Sequence, residues 1–208
     1  MILVIGANGM LGHDLMKVLE GEVRGLDLPD IDITSLASVR KILLTLKPKI
    51  IINAAAYTDV DGCETNAEQA MEVNGEGVGL LALTAREIGS KLVQISTDYV
   101  FDGRKGAPYL EDDPVGPLSV YGESKLAGEL NAAMAPEFLI VRTQWLYGVH
   151  GKNFVETMLR LAGEKSELAV VDDQIGSPTC TKDLSLAIKA LLDKGCCGIY
   201  HAANSGYC

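Results

Sequence analysis

The first twelve residues, MILVIGANGMLG, constrain this chain more than any other stretch. An apolar run of the kind found in strands buried on both faces passes into Gly6, Gly9 and Gly12, and then into helical apolar spacing over residues 11–19. Strand, tight turn and helix in that order open a βαβ unit. The first glycine permits the turn, the second lets a pyrophosphate approach the backbone, and the third lets the helix sit against the sheet. The helix N-terminus then offers unpaired N–H groups to an anion. In a chain with 22 glycines such spacing arises readily by chance, so the weight lies in its position between a strand and a helix. The turn residues Gly6, Asn8, Gly9, Met10, Leu11 and Gly12 are the candidate cradle for a dinucleotide.

The alternation continues. Residues 22–26 predict a second strand, 35–46 a helix halted by Pro48, and 49–53 a third strand. A long helical region over 67–88, a strand over 91–96, a helix over 121–133 and a strand over 138–142 follow. This pattern predicts an α/β fold, a doubly wound parallel sheet of the Rossmann type with right-handed crossovers. After Arg142 the rhythm loosens into a helix over 154–161, a strand over 168–171, the polar loop DDQIGSPT and a helix over 184–192. The expected division is a dinucleotide-binding domain, 1–142, and a smaller substrate-binding lobe, 143–208, packed closely against it.

Asp27 stands 21 residues beyond Gly6, at the end of the second strand, where an acid accepts hydrogen bonds from the adenosine ribose. An acid there also repels a 2′-phosphate and so favours NADH over NADPH; Arg24, just before it, argues weakly the other way. Asp32 and Ile33 are placed to close over the adenine, although an acid in a polar loop is the plain alternative for Asp32.

Tyr121 and Lys125 stand four apart at the start of a helix and share one face. An ammonium beside a phenol lowers the phenol's pKa towards the range where it can exchange protons at neutral pH. Thr97 follows the fourth strand at the carboxyl edge of the sheet, where such folds place their ligands, and its hydroxyl can donate to a substrate oxygen. Thr97, Tyr121 and Lys125 are the candidate catalytic groups.

Composition excludes several classes. A net charge of −10 with no cluster of Lys and Arg disfavours nucleic acid as a partner. No apolar run approaches the roughly 20 residues of a membrane span, and no charged-then-apolar leader is present. Five cysteines, at 63, 180, 196, 197 and 208, lack metal-ligand spacing and read as reduced thiols of a cytoplasmic protein that holds no metal. A homodimer is compatible with the sequence.

With these residues in place the chain resembles the extended short-chain dehydrogenase/reductase family, and within it a branch that reduces nucleotide-linked keto sugars. The resemblance spans nearly the whole chain: GANGMLG, NAAAYTDVDGCE from Asn53, STDYVFDG from Ser96, YGESKLAGE from Tyr121, RTQWLYG from Arg142, NFVETMLRLA from Asn153 and DDQIGSPT from Asp172. It implies proton transfer from Tyr121 to a keto oxygen, contact of Lys125 with the nicotinamide ribose, and orientation of the ketone by Thr97. It implies further cofactor contacts from Ala54, Ala55 and Tyr57, and nucleotide-sugar contacts from Thr97, Asp98, Tyr99, Trp145, Asn153 and Gln174. A core aromatic is the alternative for Trp145.

The expected reaction is NADH- or NADPH-dependent reduction of the C4 ketone of a dTDP-linked 6-deoxy-hexulose. Tyr99, standing where related dehydratases carry an acid, speaks against elimination. Two rival readings are a non-catalytic dinucleotide-binding subunit, like the beta subunit of methionine adenosyltransferase, and another nucleotide-sugar reductase or epimerase. The chain departs from the family where it stops at HAANSGYC, which leaves the expected substrate lobe incomplete.

Overall fold

A computed structural model describes residues 1–208. Its strands are β1 (Ile2–Ile5), β2 (Val23–Leu26), β3 (Ile50–Asn53), β4 (Lys91–Thr97), β5 (Glu137–Thr143), β6 (Leu146–Tyr147), β7 (Thr179–Cys180) and β8 (Gly198–His201). Its helices are α1 (Met10–Val18), α2 (Leu36–Leu46), α3 (Val60–Thr65), α4 (Ala67–Met71), α5 (Gly77–Ile88), α6 (Val120–Ala132), α7 (Phe154–Glu164) and α8 (Thr181–Asp193). Six strands form one parallel sheet in the order β2-β1-β3-β4-β5-β8, and β6 pairs with β7 in a small second sheet.

The period of two along each strand divides the core between the faces of this sheet. Leu3 and Ile5 of β1 join one cluster with Ile51, Leu92, and Val39, Leu43, Leu81 and Ala85 from α2 and α5. Val4, between them, joins the other with Ile52, Val93, Val141, and Leu11, Leu15, Leu184 and Ile188 from α1 and α8. Both faces are covered, which is why the strands read as continuous apolar runs. Because the sheet reverses direction of winding between β1 and β3, a crevice opens at the carboxyl ends of the strands there.

The doubly wound sheet agrees with the sequence reading, and several local expectations do not. The region 67–88 is not one helix: α4 gives way to a π-helical turn, Glu72–Glu76, before α5 begins. Within it lies Asn74, whose buried amide accepts from the Tyr57 backbone N–H and donates to the Tyr57 carbonyl and Ser124 Oγ. The stretch 168–171 is irregular rather than a strand, and two of its valines are well exposed. The part expected as a second lobe itself divides. Helix α8 packs on α1, and β8 extends the main sheet beside β5, so residues 181–201 complete the Rossmann layer. Residues between β6 and β7 are left over the strand ends, with α7 burying none of its residues.

Helix α6 carries Tyr121 and Lys125, and its placement depends on two close approaches. Ser119 caps it by accepting from the Gly122 N–H, and Gly128 lies so near the Asn74 carbonyl that a Cβ would collide with backbone. We expect Gly128→Ala to cost about 1–3 kcal/mol by overpacking. A fall in the urea midpoint of unfolding at unchanged slope would show it, whereas an unchanged midpoint would contradict this packing.

Candidate active site

A cleft of about 760 Å³ runs along the carboxyl ends of β1, β3, β4 and β5. At one end lies the glycine turn. Gly6 has φ +80°, and a Cβ there would come within 2.6 Å of the Ala55 N; one on Gly12 would strike the Gly6 carbonyl. Helix α1 begins at Gly9 without any side-chain cap, so its first N–H groups face the cleft free of internal competition.

Asp27 lines the same end, and both its oxygens are already engaged: Oδ2 accepts from the Asn8 N–H at 3.0 Å and Oδ1 from the Leu28 N–H at 2.9 Å. The carboxylate therefore ties the glycine turn to the end of β2, a role that its position alone did not reveal. Asp32 also lines the cleft but spends Oδ1 on Thr34, accepting from both its N–H and its hydroxyl. Ile33 is buried and forms part of the wall. Ala54 and Ala55 face the cleft, whereas Asn8 and Tyr57 do not line it; the Tyr57 hydroxyl lies beside Gly62 on α3.

At the other end Thr97, Asp98, Tyr99, Tyr121 and Lys125 come together. The Thr97 hydroxyl donates to Asp98 Oδ1 at 3.0 Å and accepts from the Tyr99 N–H. The Tyr99 and Tyr121 rings meet edge to face at 5.5 Å. Burial holds the Asp98 carboxyl above the usual carboxylate range. Burial, reinforced by the Asp98 charge and partly offset by a hydrogen bond with Thr97, pushes the Tyr121 phenol well above its ordinary value. This corrects the expectation that Lys125 lowers the tyrosine pKa. In this structure the Lys125 ammonium donates to the Ile95 carbonyl at 2.7 Å rather than turning to the phenol. Burial draws Lys125 itself down to about 8, with Glu129 opposing the shift.

Trp145 forms part of the cleft wall rather than the core: it is 36% exposed and adopts a left-handed backbone conformation at φ +45°. Its indole lies against Gly176, where a Cβ would come within 2.8 Å of Cε2. So strained a conformation at a bulky residue is characteristic of functional sites. Asn153 is placed differently from expectation. Its side chain caps α7, accepting from the Glu156 N–H and donating to the Gly148 carbonyl, so its amide is spent on structure. Gln174 is exposed and does not line the cleft. Thr58, Gln144, Lys152 and Phe154 line it without having been singled out, although Thr58, Gln144 and Phe154 stand in the stretches NAAAYTDVDGCE, RTQWLYG and NFVETMLRLA.

Known proteins resemble this chain in sequence and in fold. Residues 1–208 match the family described as RmlD substrate binding domain. The chain is 47% identical over 211 residues to the spore coat polysaccharide biosynthesis protein SpsK of Bacillus subtilis, covering 100% of this chain and 74% of that one. It is 45% identical to a dTDP-4-dehydrorhamnose reductase of Streptomyces griseus, covering 98% of this chain and 70% of the relative. The crystal structure of a dTDP-4-dehydrorhamnose reductase from Bacillus anthracis in complex with NADP superimposes with a TM-score of 0.96 at 41% identity, over 100% of this chain and 75% of that one.

The buried lysine has a consequence for stability. With a pKa near 8 when folded and 10.5 ordinarily, Lys125 holds fewer protons in the folded than in the unfolded protein between these values. The penalty of burying its charge is complete below pH 8 and is relieved as pH rises towards 10, so stability from this group increases across that window. Urea midpoints measured from pH 7 to pH 10 should show the rise, and Lys125→Met should remove it.

Proposed function

The chain belongs to the RmlD substrate binding domain family, and from that membership we propose that it reduces the C4 ketone of dTDP-4-dehydrorhamnose to dTDP-L-rhamnose with NADH or NADPH. The observation that carries this reading is the convergence of Thr97, Tyr121 and Lys125 at one end of a cleft whose other end is a glycine cradle at an uncapped helix terminus. The cradle fits a dinucleotide: no side chain can stand at Gly6 or Gly12, and the free N–H groups of α1 suit a pyrophosphate.

When bound, the reduced nicotinamide supplies the hydride. The protein's part is orientation, a proton and a polarised oxygen. Tyr121, a neutral phenol, gives its proton to the C4 oxygen as charge develops there. Thr97 orients that oxygen by turning its hydroxyl from Asp98 to the ketone. Lys125 holds the nicotinamide ribose. Trp145 and Tyr99 form the wall against which the sugar is positioned. Asp27 accepts from the adenosine ribose with its remaining lone pairs and gives a mild preference for NADH. Five unpaired thiols suit the reducing cytoplasm, and no helix is long and apolar enough to cross a membrane.

Oxidation of NADH or NADPH followed with a panel of dTDP-linked keto sugars tests the reading directly; no turnover with either cofactor on any of them would refute it. Tyr121→Phe should lose about 10²- to 10⁴-fold in kcat while binding NADH with near-normal affinity. Asp27→Ala should weaken NADH more than NADPH and loosen the turn that it staples, both readable as dissociation constants from fluorescence titration. A strong preference of the unmodified protein for NADPH would overturn the role given to Asp27.

A further inference from the structure

Beneath the reacting groups lies an ion pair that the chemistry above does not use. Glu129 and Arg142 are each 4% exposed, with Arg142 Nε donating to Glu129 Oε1 at 2.8 Å and Nη2 to Oε2 at 2.7 Å. Ser96 Oγ donates a third hydrogen bond to Oε1 at 2.6 Å. Two buried charges are expensive to desolvate, and an apolar pair of similar volume commonly stabilises a fold as well or better. Stability alone therefore does not account for this pair, and its surroundings suggest what does.

Each member adjoins a group assigned to the reaction. Tyr121, Lys125 and Glu129 succeed one another at intervals of four on one face of α6. Ser96 and Arg142 are direct register partners on β4 and β5, one step before the pair Thr97 and Thr143 at the cleft. Glu129 thus joins α6 to both strands one residue below the reacting edge. Lys125 adds a second fastening, to the Ile95 carbonyl. The other side of Arg142 extends the connection: its guanidinium lies 5.0 Å from the Phe101 ring centroid and donates to the Glu111 carbonyl. Phe101 closes the short 3-10 turn Asp98–Val100, which carries Asp98 and Tyr99.

Resting on the function proposed above, we infer that Glu129 and Arg142 are positioning residues that set the separation of the Tyr121 hydroxyl from Thr97 and hold Lys125 below them. A bidentate pair resists both sliding and rotation of α6 against the strands, which a single-point contact would not. Misplacement of reacting groups by about 1 Å can cost about 10²-fold in rate, so the pair acts on turnover through geometry without touching either ligand.

The test is Arg142→Lys, which keeps the charge that balances Glu129 and loses the two-pronged contact and the stacking on Phe101. Its kcat should fall about 10- to 100-fold, with the dissociation constant for NADH and the KM for the keto sugar within about threefold of the unmodified protein. Ser96→Ala, which leaves the ion pair whole, serves should Arg142→Lys not fold, and should lower kcat about three- to tenfold with binding likewise retained. A folded variant with kcat within twofold, or one losing NADH affinity in step with kcat, overturns the proposal. Turnover by the unmodified protein tests the reaction itself; the variant-to-parent ratio tests the positioning. If the unmodified protein reduces none of the sugars, the phenolate absorbance of Tyr121, taken as a difference against Tyr121→Phe, reads the same placement. The variant should admit water and let Tyr121 ionise at lower pH, and an unchanged titration counts against the positioning role.

Discussion

The glycine end of the cleft is set by one constraint, the close approach of backbones at two points. Gly12 lies against the Gly6 carbonyl, and Gly6 against the peptide of Ala54 and Ala55, at separations that no Cβ could enter. This locks the start of α1 to the ends of β1 and β3 and fixes where the crevice of the sheet opens. It is a steric constraint and therefore permits no gradual compromise: a methyl group at either position must displace main chain. Asp27 adds an electrostatic tie from β2 to the same turn. The anion-binding end of the cleft is rigid for reasons independent of any anion.

The other end is organised by charge rather than by close approach. Asp98, Tyr121, Lys125, Glu129 and Arg142 lie within a small region with little access to water, and each affects the ionisation or orientation of another. Burial keeps the phenol and the Asp98 carboxyl towards their neutral forms and draws the lysine towards its own. A phenol is already protonated at neutral pH, and burial moves the ionisation of Tyr121 further from that range.

Strands β1 to β5 and the glycine turn were legible because each sits in a regular alternation of apolar runs, turns and helical spacing. The π-helical turn was not, since the buried amide within it bonds to backbone 17 residues away. The return of α8 and β8 to the sheet was missed because GIYH follows a loose region rather than the regular alternation that marks the earlier strands. Asn153 could have been read correctly: with Glu156 three residues later, before an apolar run, it carries a helix-start signature. The direction of the Lys125 side chain had no signal at all, because its acceptor is a main-chain carbonyl, which every residue possesses.

Helix α7 places this rigid sheet beside something much looser. It has eleven residues and buries none, and Phe154 and Leu159 stand well out in solvent. Helices shorter than about 12–15 residues are marginal without tertiary contacts, so α7 can open while the strands remain paired. Its amide protons should accordingly exchange with solvent deuterium by local fraying, orders of magnitude ahead of those in β1, β3 and β4, which wait on global unfolding. Because Phe154 is also part of the cleft wall, opening of α7 would reshape that wall while leaving the glycine turn in place.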